Sequence, residues 1–93
     1  MMQRILKVVK CGECFTVKSE KAENGCLYKR HIVLQEPGGK YADQYAAALL
    51  GNDALCTFYE GNLVLANLRF QTREYNGQTF QDVTVTEIIK IEN

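Results

Sequence analysis

Apolar and polar residues alternate along most of this chain with a period of two, the signature of strands with one buried face. Five segments carry it. The first runs over about 4–18, where Ile5, Lys7 and Val9 alternate with Leu6, Val8 and Lys10. Gly12 interrupts this run, and Phe15 and Val17 resume it. A glycine inside a long strand marks a bulge or a bend. The second segment, 26–35, points Ile32 and Leu34 one way and Lys29, His31, Val33 and Gln35 the other. The fourth and fifth cover 63–73 and 79–91.

The third segment, 42–50, is ambiguous by pattern. Tyr45-Ala46-Ala47-Ala48-Leu49-Leu50 has strong helix propensity, yet it is short and Gly51 stops it. It reads either as two helical turns or as a strand lined with small residues. Downstream, Asn52 or Asp53 can N-cap a short helix, with Leu55 and Phe58 on one face.

The sharpest local signal joins the last two segments. Asn76-Gly77 sits between alternating runs, and both central residues of a type I′ turn need φ > 0. With these two as the loop, Tyr75 faces Gln78, Arg73 faces Phe80, Phe70 faces Val83 and Leu68 faces Val85. Extending the same register puts Leu65 opposite Ile88. Arg69–Thr84 and Gln71–Asp82 form a polar face, and the hairpin protrudes as a finger.

The order of elements is that of an OB-fold. Leu50-Gly51-Asn52-Asp53-Ala54, Glu60-Gly61 and Arg73-Glu74-Tyr75-Asn76-Gly77, with Ile32-Val33-Leu34 more weakly, resemble a family of small uncharacterised bacterial proteins. That family is related in pattern to the OB domain of bacterial single-stranded DNA-binding proteins, and the resemblance covers about residue 26 to the end. It implies a strand at 43–50 and a helix at 53–59. The fold expected is therefore a five-stranded OB barrel with one short helix between strands three and four. Two features depart from the replicative proteins: the chain has no tail beyond its last strand and no Trp.

An OB-fold binds single strands on the outer face of strands two and three, between the first-to-second and fourth-to-fifth strand loops, here 20–25 and 74–78. The expected nucleic-acid-binding set is Lys29, His31, Tyr41, Tyr45, Arg73, Tyr75 and Phe80. Tyr75 either stacks on a base or lies on its own hairpin. Arg73 and Phe80 equally suit a cation–π pair within the finger. Of the two adjacent cations Lys29 and Arg30, Lys29 is placed on the binding face. Phe15, Phe58 and Phe70 are assigned to the core.

Composition narrows the function. The 93 residues suit one domain, and eleven basic residues balance eleven acidic ones. A zero net charge argues against a strong nonspecific polyanion binder but permits a local basic patch. No apolar run reaches a membrane span, and charges break the N-terminal stretch, so neither membrane association nor export is expected. A cytoplasmic protein with reduced Cys11, Cys14, Cys26 and Cys56 follows. Cys11-Gly-Glu-Cys14 has the spacing of half a zinc site, but no second pair completes it. No catalytic constellation is present, and no metal or cofactor is expected. The function expected is binding of single-stranded nucleic acid, DNA ahead of RNA, without strong sequence preference. The alternative is an OB-fold protein-interaction or oligomerisation module without nucleic-acid binding. A homodimer or higher homo-oligomer is expected under both.

Overall fold

The computed structural model describes residues 2–20 and 25–92. The strands are β1 (Met2–Cys11), β2 (Phe15–Lys18), β3 (Cys26–Gln35), β4 (Gln44–Leu50), β5 (Leu63–Tyr75) and β6 (Gln78–Glu92). They form one six-stranded sheet in the order β1-β5-β6-β4-β3-β2, with a further pairing of β1 to β3. All neighbours are antiparallel except β4 and β6.

This corrects the expected five-stranded OB barrel in three respects. First, the long opening strand is two strands. Cys11 faces Ile32 while Phe15 faces Lys29, so the chain takes four steps where β3 takes three. Gly12 makes this possible: its N–H donates to His31 O at 2.9 Å, and a Cβ there would lie 3.3 Å from the same oxygen. Second, the segment after β4 is a five-residue 3₁₀ turn, Gly51–Leu55, rather than a helix over 53–59. Leu50 before it supplies no side-chain cap, and so short a turn gains little from helical hydrogen bonds. Third, the mixed sheet curls through the β1–β3 pairing without completing a closed barrel wall. The β4–β6 seam is only two residue pairs long, Ala48↔Thr84 and Leu49↔Val85, and β2 pairs with β3 alone. The strand reading of 43–50 does hold, against helix propensity, because Ala47 and Leu49 complete the buried face.

The concave face buries Leu6 and Val8 of β1, Ile32 and Leu34 of β3, Ala47 and Leu49 of β4, Val64, Ala66 and Leu68 of β5, and Val85 of β6. Ala54 and Phe58 close one end. Burying such residues supplies about 25 cal/mol per Å² of apolar area, the main favourable term in a domain this small. Phe58 is core as expected. Phe15 and Phe70 are each 40% exposed, and neither is a core residue.

Two polar residues pin the irregular segments to this body. Asn62, which is buried, accepts a bond from Tyr59 N–H through Oδ1 at 2.9 Å. Its own N–H donates to Tyr59 O, and its carbonyl accepts from Val8 N–H at 2.8 Å. Arg30 donates from Nε to Ala54 O at 2.8 Å and from Nη1 to Gly12 O at 3.3 Å. It therefore ties the 3₁₀ turn to the break between β1 and β2 and does not face outward.

The β5–β6 register runs as the Asn76-Gly77 turn predicts from Tyr75↔Gln78 through Leu68↔Val85. Both turn residues have positive φ, 52° and 77°. Beyond Leu68 a bulge intervenes: Asn67 faces Glu87, and Leu65 faces Ile89 instead of Ile88. The extra residue is Thr86, whose hydroxyl donates to Asn67 O. One-residue slips exchange faces, so Ile88 packs against the core and Ile89 is exposed.

Candidate nucleic-acid interface

The outward residues of β3 and β4 have the opposite parity to the core set. Lys29, His31 and Val33 lie beside Ala46, Ala48 and Leu50, with the register Lys29↔Leu50, His31↔Ala48 and Val33↔Ala46. The short β4–β6 seam lets the finger stand off this surface. Between them lies a groove of about 630 Å³, lined by Lys29, His31, Ala46 and Ala48 on one side and by Gln71, Arg73, Asp82 and Thr84 on the other. Alanines on a strand leave an open floor where larger side chains would fill the space.

On the β3 wall the His31 ring lies 5.4 Å from the Phe15 ring, tilted by 36°. Phe15 reaches it from β2 because its partner on β3 is Lys29, two residues away and on the same face. On the finger, Arg73 stacks over Phe80 at 4.9 Å and donates from Nε to Asp82 Oδ2 at 2.8 Å. These two contacts fix the guanidinium plane while leaving it half-exposed. The side chains of Tyr75, Arg73, Gln71 and Arg69 share one face of the finger, with Phe80, Asp82 and Thr84 opposite them.

The structure thus brings Lys29, His31 and Arg73 to one groove. Phe80 and Tyr75 extend the same finger face, and Tyr75 at the tip is exposed. Tyr41 and Tyr45 lie elsewhere. Tyr41 is 88% exposed on the turn before β4, with Lys40 Nζ 5.1 Å from its ring. Tyr45 points to the core side, its ring edge-on to Phe70 at 6.1 Å. Its hydroxyl donates to Glu36 Oε1 at 3.3 Å, and Arg4 pairs with the same oxygen at 3.1 Å. Burial, then the charge and hydrogen bond of Glu36, push the Tyr45 phenol above its ordinary value of 10.0. The loop 20–25, expected to flank the site, lies largely outside the described residues.

Sequence reasoning missed Phe15 as a partner of His31, and it left Gln71, Asp82 and Thr84 out of the site. The polar-face register already carried the signal for the last three. Among the described residues no group of three His, Cys, Asp or Glu side chains is placed to hold a metal. All four cysteines are free thiols: Cys11 and Cys14 half-buried, Cys26 and Cys56 exposed. No helix among the described residues is long and apolar enough to cross a membrane.

No family model matches the chain, and no curated protein matches it. Together with the six-stranded mixed sheet, this overturns the resemblance to the small bacterial OB-fold family and to the OB domain of single-stranded DNA-binding proteins.

Proposed function

We propose that the protein binds single-stranded nucleic acid, DNA ahead of RNA, in the groove between β3–β4 and the finger, without strong sequence preference. The observation that carries this is a groove lined by Lys29 and His31 on one wall and Arg73 on the other, with His31 backed by the Phe15 ring and Arg73 by the Phe80 ring. Bases stack on aromatic and guanidinium planes whatever their identity, and cations track the phosphates. A duplex keeps its base faces stacked inside, so it cannot use such platforms. With no excess of positive charge overall, moderate affinity that falls with salt is expected. Four free thiols suit the reducing cytoplasm.

The test is fluorescence anisotropy of a labelled mixed-sequence single strand, titrated at low and moderate salt beside a duplex control. Micromolar binding that weakens with salt and spares the duplex is the expected result. Lys29→Ala should shallow the salt dependence, by roughly 0.7 in log–log slope for one lost phosphate contact. Absence of binding at low salt overturns the reading.

A second reading, homo-oligomerisation, rests on a different surface. Ile5, Leu65 and Ile89 form one cross-strand row on the convex face, with Ile5 51% and Ile89 60% exposed. Sedimentation velocity of the wild type and of Ile89→Glu tests it. A homodimer lost in the variant supports this reading, and a monomer at all concentrations removes it.

A further inference from the structure

The chain has four arginines, and the structure commits three of them. Arg4 pairs with Glu36, Arg30 bonds Ala54 O and Gly12 O, and Arg73 pairs with Asp82. Arg69 is exposed and, among the described residues, makes no ion pair or hydrogen bond through its guanidinium. It borders a second hollow of about 360 Å³, lined also by Leu50, Asp53, Gln71, Thr84, Val85 and Thr86. Leu50, Gln71 and Thr84 line the main groove too. The two depressions are therefore continuous around the foot of the finger.

Spacing gives this continuity a meaning. Arg69 and Arg73 lie on one face of one strand, four residues and so roughly 13 Å apart. That is too far for one phosphate group to span, and it suits successive positions along an extended strand. Arg73 is oriented by Phe80 and Asp82, whereas Arg69 keeps its planar fork free for bidentate bonding to phosphate oxygens. Asp53 also lines the hollow, so an anion there is held by Arg69 against one nearby negative charge.

Resting on the single-strand reading of the groove, we infer that Arg69 and its hollow form a second phosphate subsite. The ligand is then an oligonucleotide of several residues running from the finger tip to the 3₁₀ turn, rather than a mononucleotide or dinucleotide. No substrate chemistry is involved; the subsite adds a charge-assisted contact that short ligands cannot reach.

The experiment is a length series of oligothymidylates of two, four, six and eight residues, titrated by competition against the labelled strand. It uses the wild type, Arg69→Ala, Arg69→Lys and, as reference, Lys29→Ala. Wild-type affinity should rise with length up to the size that spans both depressions and then level. Arg69→Ala should lose that gain, on the order of tenfold for a single charge-assisted contact, while binding the dinucleotide as the wild type does. Arg69→Lys should recover part of it. Arg69→Ala indistinguishable from the wild type at every length overturns the subsite; the groove reading then survives if Lys29→Ala still weakens binding. No binding of any oligomer to the wild type overturns both. Arg69 is exposed, and matching circular dichroism and melting of the variants confirm that folding is unaffected.

Discussion

The two halves of the β5–β6 hairpin share strands and a continuous ladder, yet they are built by different physics. In the lower half of β5, Val64, Ala66 and Leu68 are buried and alternate with half-buried partners. From Arg69 to Tyr75 every residue is exposed. The lower half is held by burial, and its register even slips by one residue to keep Ile88 inside. The upper half meets the core side at its base, through Val83 and the Phe70–Tyr45 ring contact, and buries none of its β5 residues. Beyond that base it is held by its turn, its ladder and the cross-strand contacts of Arg73 with Phe80 and Asp82. Under the proposed single-strand reading, stability and binding fall to different parts of one hairpin: the foot anchors, and the finger carries the groups that meet the ligand.

The largest effect expected is at the foot. Leu68→Ala removes a fully buried side chain and should cost about 2–5 kcal/mol in urea unfolding. A cost below about 1 kcal/mol would mean that the foot is as loosely packed as the finger. Asn62→Ala should follow at about 1–3 kcal/mol, since it strands the Tyr59 N–H beside a buried position. At the boundary between the two regimes, Gly77→Ala places a Cβ at φ 77° and should cost roughly 1–2 kcal/mol. A larger loss would show that the finger folds cooperatively with the foot.

At the tip the comparison inverts. Tyr75→Ala should leave the melting temperature within experimental scatter but weaken single-strand binding by about 1–3 kcal/mol. Equal loss of stability and binding would tie the finger to the core; unchanged affinity would take the tip out of the interface. The smallest effect is at Tyr45, on the core side. Its neutral phenol is the form the fold favours, so its contribution is complete below pH 10.0 and is lost as pH rises through the elevated folded value. Tyr45→Phe should therefore flatten the decline of stability above that pH, read from denaturation midpoints.

The candidate site was legible where local rules reach. Period-two alternation put Lys29 and His31 on the outward face of β3, and the turn put Arg73, Tyr75 and Phe80 in register on the finger. Phe15 was misassigned because hydrophobicity alone cannot tell a core ring from one that lies against an exposed histidine. Tyr45 was misassigned because its outward or inward choice depends on which alanines of β4 face the core. Tyr41 carried no pattern at all, only an aromatic type.

By itself the sequence determined the strand character of β3, β5 and β6, the Asn76-Gly77 turn, and the pairing of eight residues on either side of it as far as Leu68 and Val85. These depend on contacts close along the chain, where steric limits on φ and side-chain parity leave few options. Tertiary structure decided the rest. It set the strand conformation of 44–50, the split at Gly12, the bulge at Thr86 and the mixed sheet in place of an OB barrel. Each of these is settled by what a distant strand needs in order to bury its apolar face or satisfy its backbone groups. Propensity and spacing within one segment hold no record of that.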